Sequence, residues 1–320
     1  MGIQRVACVG AGLIGQGWAT IFSSRGLEVI VQDISEEVLH ESMERIRMNL
    51  AFLEAHGLVP KGNAETSLQR IRTTVQIADA VGRADYVQES VPDTYDIKKR
   101  VFKELDAAAL DRAVLASSAS GLLMTEIQKA TTRPERCVLA HPILPVYLIP
   151  VVEIAGGEQT NRETVEVTRK FMEELGKTPV VLKREVPGYI VNRLQAALLR
   201  EAIDLVDKGV ASPGEVDRAF CKGIGLRDPL IGPFLRIHLA GNGIESFIEH
   251  FAQSYQYRWE TMETWTSLPP SAVEAVIKGT KDMEIVRGKS LDEIKALRDE
   301  TLVKLLRLMD YATPPTHVED

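Results

Sequence analysis

The sequence has little of what marks secreted, membrane and nucleic-acid-binding proteins. Only three cysteines occur among 320 residues, an odd number spread too widely for a disulfide framework or a metal site, so we expect a reducing, cytoplasmic location and no metal. The longest apolar stretch, 138–156, contains a histidine, a glutamate and three prolines, which excludes a spanning helix. Basic residues do not predominate, since 38 Lys and Arg against 45 Asp and Glu give a net charge of −7, and this argues against a broad nucleic-acid-binding face. The amino-terminal residues favour a β-strand over a signal peptide.

The remaining composition is that of a globular protein with two domains. Hydrophobic residues make up 45% of the chain and charged residues 26%, and 320 residues are too many for one ordinary compact domain. Predicted strands alternate with helices as far as residue 186, which indicates an α/β fold with a mainly parallel sheet. Beyond that point the pattern is helical, so we predict an α/β domain over 1–186 and an all-α domain over 187–320. The first helix of the second domain, predicted between Pro187 and Gly209, has a wide apolar face that we expect to be buried.

A glycine-rich turn follows the first predicted strand. The order is strand, Gly10-Ala-Gly12-Leu-Ile-Gly15, helix, strand and then Asp33, which lies 18 residues after Gly15. In a dinucleotide site, Gly10 permits the tight turn, Gly12 lets a pyrophosphate approach the backbone, and Gly15 lets the helix pack on the strand. The helix N-terminus attracts the phosphates, and Asp33 is placed to accept hydrogen bonds from both ribose hydroxyls. Because a carboxylate repels a 2′-phosphate, the pattern predicts a Rossmann-like domain that binds NAD rather than NADP. The alternative is a glycine turn in some other α/β protein.

One histidine, His141, stands out as a candidate general base. A dehydrogenase needs a base with a pKa near neutrality, which favours histidine. His141 ends a predicted strand at the edge of the sheet where ligands bind, and Glu153 lies in the following apolar strand, where an unpaired carboxylate would be costly. A hydrogen bond between them would fix the imidazole tautomer; the alternative is an edge-strand glutamate that faces water. We expect the other histidines to be solvent-facing, in the C-terminal tail or, for His238, in the core: His40, His56, His238, His250 and His317.

Two further polar segments belong to the same predicted edge. The serines of Ser117–Ser120 follow a strand, although one of them is an alternative N-cap for a helix that starts near Leu122. Asn192 lies in the first turns of the helix that opens the second domain, where a buried amide needs a partner such as a substrate or the nicotinamide amide. Structural capping is the alternative role for Asn192.

Together these residues resemble the 3-hydroxyacyl-CoA dehydrogenase superfamily over nearly the whole chain. The segments that carry the resemblance are VACVGAGLIGQGWA, QESVPDTYDIKKRVF, ASSASGLLMTEI, HPILPVYLIPVVE and REVPGYIVNRLQAALLREA. Within the superfamily, GIGLRDPLIGPF is most similar to the branch that includes carnitine and gulonate dehydrogenases. The resemblance implies a Rossmann-like domain followed by a helical domain that forms a homodimer. It implies catalytic roles for His141 as base, Glu153 as its partner, Ser120 on the reacting hydroxyl and Asn192. The implied cofactor-binding residues are Gly10, Gly12, Leu13, Ile14, Gly15, Asp33, Asp93 and Lys98, with Lys98 on the nicotinamide side.

Three positions depart from the family pattern. Leu144 stands where the family commonly has an asparagine that orients the substrate carbonyl, and Asp93 stands where it often has glutamate. Asp228 replaces an aromatic residue usual in the branch, and it is a candidate partner for a cationic substrate. Because of these departures, the resemblance does not identify the substrate.

The hypothesis from the sequence is an NAD-dependent dehydrogenase that oxidises a small 3-hydroxy acid, of the carnitine or gulonate type, to the 3-oxo acid. An acyl-CoA thioester is the alternative substrate. Its phosphates would need basic residues, and the candidates are Arg45, Arg47, Lys61, Arg70 and Arg72. A non-enzymatic NAD-binding or crystallin-like protein is the third alternative. No membrane or nucleic-acid partner is expected.

Overall fold

A computed structural model describes residues 2–240 and 242–312 of the chain. Within it the chain divides into two compact units, residues 1–193 and 194–320. The predicted loose tail from Pro314 and the predicted position of His317 lie outside the described residues.

The first unit contains an eight-stranded sheet with the order β3-β2-β1-β4-β5-β6-β7-β8. Strands β1 to β6 pair in parallel, whereas β7 runs antiparallel to β6 and parallel to β8. This arrangement is the predicted Rossmann-like, mainly parallel fold, with a helical region after it. The strands are β1 Arg5–Val9, β2 Glu28–Gln32, β3 Ile71–Thr74, β4 Tyr86–Glu89, β5 Val114–Ser117, β6 Cys137–Pro142, β7 Val151–Gly156 and β8 Thr178–Val181.

Helices cover both faces of this sheet. Successive strand residues point to opposite faces, so Val6 and Cys8 of β1 join one hydrophobic cluster while Ala7 and Val9 join the other. The Ser35 side chain caps the second helix by accepting a hydrogen bond from the Val38 N–H. The helices are α1 Leu13–Ser24, α2 Glu36–Ala55, α3 Asn63–Leu68, α4 Ile77–Val81, α5 Tyr95–Ala108, α6 Met124–Gln128, α7 Arg162–Glu174 and the 3₁₀ turn Pro134–Arg136.

The region after the sheet is helical, as predicted. Ser290 and Glu293 form a capping box at the start of the last helix, because each side chain bonds the other residue's backbone N–H. The helices are α8 Val191–Asp207, α9 Pro213–Ala219, α10 Pro233–Leu239, α11 Ile244–Thr261, α12 Pro270–Lys281 and α13 Leu291–Ala312, with a π-helical turn at Phe220–Ile224. None of the helices within the described ranges is long and apolar enough to cross a membrane.

Two predictions for this region are wrong. The apolar face of α8 is not buried: Leu194, Leu198 and Leu199 are 58%, 45% and 59% exposed. An apolar stripe shows that a face favours burial, but it does not show that the same chain supplies the cover. His238 is exposed rather than a core residue, and its Nδ1 accepts a hydrogen bond from the Ile244 N–H. A short polar contact at a helix end replaces the expected packing.

Candidate active site

The glycine turn lies at the carboxyl end of β1, beside β4, where the strand order changes direction and ligands of such sheets bind. Gly10 has φ +95°, and a Cβ there would lie 2.8 Å from the Ser90 carbonyl oxygen. A Cβ on Gly15 would lie 1.8 Å from the Gly10 oxygen, so the close approach of helix to turn requires glycine. A Cβ on Gly12, in contrast, would meet no atom within 4 Å, so the space in front of its backbone is open.

These residues fit a dinucleotide. Helix α1 begins at Leu13 with no side-chain cap, which leaves the N–H groups of Leu13 and Ile14 for an anion beside the open space at Gly12. Asp33 follows β2, and its two carboxylate oxygens accept hydrogen bonds from the Ala11 N–H and the Ile34 N–H, each at 2.8 Å. Each oxygen retains a further acceptor position for a ribose hydroxyl. The turn, the helix terminus and the acid therefore lie together as the sequence predicts for NAD.

His141 and Glu153 form a buried pair across two antiparallel strands. They are direct partners in the β6–β7 register, and His141 Nδ1 lies 2.9 Å from Glu153 Oε2. His141 is 5% exposed and Glu153 is fully buried. The hydrogen bond to His141 therefore explains how a carboxylate is accommodated in this apolar strand.

The second oxygen of Glu153 is held by the chain that leads into α8. Its Oε1 accepts hydrogen bonds from the Ile190 and Val191 N–H groups at 2.8 and 3.0 Å. Gly188 and Tyr189, just before them, both have positive φ, at 78° and 50°. A left-handed tyrosine is uncommon and carries backbone strain, and here it turns two successive N–H groups towards one carboxylate oxygen.

This set of donors fixes the ionisation of Glu153 and the tautomer of His141. Burial alone would raise the pKa of the Glu153 carboxyl, but the hydrogen bonds from His141 and from the two backbone N–H groups outweigh burial and lower the pKa below its ordinary value. An ionised carboxylate only accepts hydrogen bonds, so Nδ1 of His141 carries the proton. Nε2 keeps a lone pair, and no described residue hydrogen bonds to it.

Ser120, Asp93 and Asn192 form a second connected group. The Ser120 hydroxyl donates to Asp93 Oδ2 at 2.6 Å, and the Ser120 N–H donates to the same oxygen at 3.0 Å. The Asn192 side-chain N–H donates to the Ser120 carbonyl oxygen at 2.7 Å. Because its proton is directed at Asp93, the Ser120 oxygen keeps lone pairs that can accept a hydrogen bond. Asp93, although one carbon shorter than the glutamate of the family pattern, reaches this serine.

Lys98 has a partner that the sequence did not predict. It is 1% exposed, and its Nζ donates to Glu89 Oε1 at 2.7 Å and lies 3.7 Å from Asp93 Oδ1. Glu89 is fully buried and also accepts from the Ser117 hydroxyl at 2.6 Å. The only sequence signal for Glu89 was a carboxylate at the end of an apolar strand, the same signal that identified Glu153. The contact predicted between Lys98 and the nicotinamide stays a prediction.

Other predictions near the site need correction. None of the three serines in 117–120 caps the helix that follows, since α6 begins at Met124 after Leu123 without a side-chain hydrogen bond. Ser117 and Ser120 donate to Glu89 and Asp93 instead, and the Ser118 hydroxyl bonds the side chains of Gln88 and Ser90. Asp228, in the helical region, forms an ion pair with Arg236 at 2.9 Å, and its pairing with a cationic substrate stays a prediction. Leu144, at the position of the family asparagine, is 45% exposed.

Comparison with known proteins agrees with this geometry. The family model described as "3-hydroxyacyl-CoA dehydrogenase, NAD binding domain" matches residues 5–186, and that of the "C-terminal domain" matches residues 188–283. An L-carnitine dehydrogenase of Oceanobacillus iheyensis is 37% identical over 98% of this chain and 100% of its own length. A solved structure of 5-formyl-3-hydroxy-2-methylpyridine 4-carboxylic acid 5-dehydrogenase, an NAD⁺-dependent dismutase, has a TM-score of 0.82 and 30% identity and covers 96% of this chain and 99% of its own. A solved (S)-3-hydroxybutyryl-CoA dehydrogenase from Ralstonia eutropha has a TM-score of 0.65 and 26% identity and covers 86% of this chain and 92% of its own.

Proposed function

This chain belongs to the 3-hydroxyacyl-CoA dehydrogenase family and is an NAD-dependent oxidoreductase acting on a CH–OH group, and on that premise we propose that it oxidises a small 3-hydroxy acid to the 3-oxo acid. The observation that carries the proposal is the buried His141–Glu153 pair, whose carboxylate is fully hydrogen bonded and whose imidazole keeps one free nitrogen. The full-length similarity to L-carnitine dehydrogenases favours a substrate of the carnitine type, with gulonate as the next candidate.

The proton of the substrate hydroxyl moves to His141 Nε2 in this proposal. Glu153 holds Nδ1–H and stabilises the imidazolium that results, so the base neither rotates nor changes tautomer during turnover. The hydride of the hydroxyl-bearing carbon would go to NAD, the cofactor that the glycine turn and Asp33 would hold. The reaction balances as one hydride and one proton removed from the alcohol.

Ser120 and Asn192 position the reacting hydroxyl. In the structure the Ser120 hydroxyl donates to Asp93. Because the single hydroxyl proton of the substrate goes to His141, Ser120 positions the substrate oxygen by donating its own proton to that oxygen in place of Asp93. Asn192 holds the Ser120 carbonyl and so fixes the segment that carries this hydroxyl. On the cofactor side, the backbone of Leu13 and Ile14 holds the pyrophosphate and Asp33 holds the adenosine ribose.

An acyl-CoA substrate is the second candidate, favoured by the similarity to a solved 3-hydroxybutyryl-CoA dehydrogenase. The basic residues that would bind CoA phosphates do not all support it. Arg70 precedes β3 and Arg72 lies near its start, so both are at the amino end of the sheet, opposite the edge that carries His141. A small acid needs no such cluster of basic residues, and this difference favours the small acid over the acyl-CoA thioester as the substrate.

A substrate panel tests the proposal. NADH formation at 340 nm is measured with carnitine, gulonate, 3-hydroxybutyrate and 3-hydroxybutyryl-CoA, each with NAD and then with NADP. We expect the highest kcat/KM with a free acid and NAD. Turnover of the thioester alone would replace the first candidate with the second, and no turnover of any 3-hydroxy compound would reject both.

The assembly we propose is a homodimer. Several large apolar side chains of the helical region are more than half exposed in the single chain, including Leu199 at 59%, Phe234 at 76% and Trp259 at 64%. Exposed apolar surface of this kind favours burial against another protein surface. A second copy of the chain is the partner that the family resemblance implies.

The location we propose is the cytoplasm. All three cysteines, Cys8, Cys137 and Cys221, are free thiols, which suits a reducing compartment. Fractionation of the source cells with an antibody against the protein checks this assignment.

A further inference from the structure

The loop of residues 143–150 joins the strand that carries His141 to the strand that carries Glu153. Two of its eight residues, Pro145 and Pro150, lack an N–H. Its Leu148 and Ile149 N–H groups both donate to the Pro145 carbonyl oxygen. Carbonyl groups elsewhere in the loop therefore need donors from outside it.

Lys177 supplies those donors. Its Nζ donates to the Val146 carbonyl oxygen and, at 2.9 Å, to the Ile149 carbonyl oxygen. Lys177 is only 8% exposed, and the next residue, Thr178, donates its N–H to the Pro150 carbonyl oxygen at 2.9 Å. Three carbonyls of one loop are thus held by two successive residues at the start of β8.

The surroundings of Lys177 suit a donor to carbonyl groups rather than a member of an ion pair. Its Nζ lies 5.9 Å from the centre of the Trp18 ring, and the charged group that faces it is Arg25, of the same sign. No described carboxylate lies within ion-pair distance. Burial lowers the pKa of the Lys177 side chain to about 7, and the Arg25 charge acts in the same direction. A neutral amine has two N–H groups, which match the two carbonyl acceptors, so the contacts survive loss of the third proton.

Two apolar contacts hold the middle of the same loop. A Cβ on Gly17 would lie 2.7 Å from the Val146 Cβ, so this valine packs directly on the backbone of α1. The Tyr147 ring packs edge-on against the Phe52 ring of α2, with 6.3 Å between the two ring centres. Leu144, three residues after His141, is 45% exposed.

We propose that Lys177 is a positioning residue that fixes the 143–150 loop, which begins two residues after His141, and thereby shapes the substrate side of the proposed base. The effect on turnover rests on the proposed function, whereas the effect on the loop does not. Without the lysine, the Val146 carbonyl, in a buried contact, and the Ile149 carbonyl, in a partly buried one, lose their donor, and the loop gains alternative conformations that bind the substrate less well.

The test compares Lys177→Met with Lys103→Met, which removes an exposed lysine of α5. We expect amide hydrogen exchange at Leu148 and Ile149 to become at least about 10-fold faster in Lys177→Met only. We also expect the KM for the acid to rise about 10-fold with a smaller change in kcat, while NAD affinity stays within about two-fold. Loss of stability alone would not separate KM from kcat in this way.

Unchanged exchange at these two amides in folded Lys177→Met overturns the proposal, as does an unchanged KM. If Lys177→Met does not fold, Lys177→Gln decides, because its shorter side chain cannot reach both carbonyls from the same backbone position; unchanged exchange and KM in this variant overturn the proposal as well. If the wild-type protein oxidises no acid in the panel, the proposed function fails, and the exchange measurement still decides whether Lys177 fixes the loop.

Discussion

The two compact units differ in how completely they cover their own side chains. In residues 1–193, Trp18, Phe22 and Tyr86 are fully buried, and the buried acids Glu89 and Glu153 have all their oxygens hydrogen bonded. In the described part of residues 194–320, only three hydrophobic residues are buried, and they are Ile203, Ala272 and Val303.

This difference separates what one chain does alone from what needs a partner. The first unit completes its core, its glycine turn and its histidine–glutamate pair from its own residues. Two helices of the second unit, α9 and α13, begin with capping boxes. Its leucines and aromatic residues are left in water, where each large side chain forgoes about 2 kcal/mol of burial. We therefore expect variants in the first unit to change chemistry and variants in the second to change assembly.

The largest expected effect comes from His141→Ala. Removal of the base should lower kcat about 1,000-fold, since general-base catalysis contributes 10²–10⁴-fold. NAD binding, measured by fluorescence titration, should stay within two-fold of wild type, because the glycine turn is separate from the base. His40→Ala, at an exposed position of α2, is the control. Undiminished turnover in His141→Ala would reject the assignment of the base.

Glu153→Gln should lower kcat about 100-fold, because a neutral amide neither stabilises the imidazolium nor fixes the tautomer. The same variant has a pH signature. The folded pKa of Glu153 lies below its ordinary value, so its contribution to stability is present above the unfolded pKa and is lost as the pH falls through the folded pKa.

Urea unfolding between pH 3 and pH 7 measures that contribution. The wild-type protein should lose more stability over this range than Glu153→Gln does. Parallel losses in the two proteins would mean that Glu153 is not held ionised by the donors around it.

Gly12→Ala should weaken NAD binding about 10-fold without destabilising the fold. The added methyl group enters open space at a backbone conformation that alanine adopts readily, and it occupies the place where a pyrophosphate approaches. Gly223→Ala, where a Cβ also meets no atom within 4 Å, is the matched control. Equal NAD affinities in the two variants would contradict the phosphate site at this turn.

The smallest effect on chemistry is expected from the double variant Leu198→Glu and Leu199→Glu in α8. Two charges on an apolar face oppose its burial, so sedimentation should show half the wild-type mass while NAD binding persists. Met48→Glu, at a 63% exposed position of α2, should leave the mass unchanged. If the wild-type protein is itself monomeric, the proposal that a homodimer buries the exposed apolar face of α8 is wrong.

How far the sequence predicts the site depends on the range of each interaction. The turn with Gly10, Gly12 and Gly15 is local, so strand, turn and helix were predictable within two residues. Glu153 was predictable because a lone carboxylate in an apolar strand needs a partner, and the spacing of twelve residues suits an antiparallel pair with His141.

Other contacts had no local signal. The bond from Asn192 to Ser120 joins residues 72 positions apart, and Lys177 meets its loop from 28 and 31 positions away. The helical pattern of α8 predicted an apolar face correctly and its burial wrongly, because periodicity describes one helix and burial depends on what packs against it.

By itself the sequence determined the order of strands and helices, the glycine turn, the acid after the second strand and the histidine at the strand end. Each of these follows from chemistry within a few residues: glycine's conformational freedom, side-chain alternation and the cost of an isolated charge. The tertiary structure alone decided which donors keep Glu153 ionised and which serine donates to Asp93. It also decided that Lys177 holds the loop between the base and its partner. Those pairings join distant segments, and only the packing of strands and helices brings their atoms within hydrogen-bond distance.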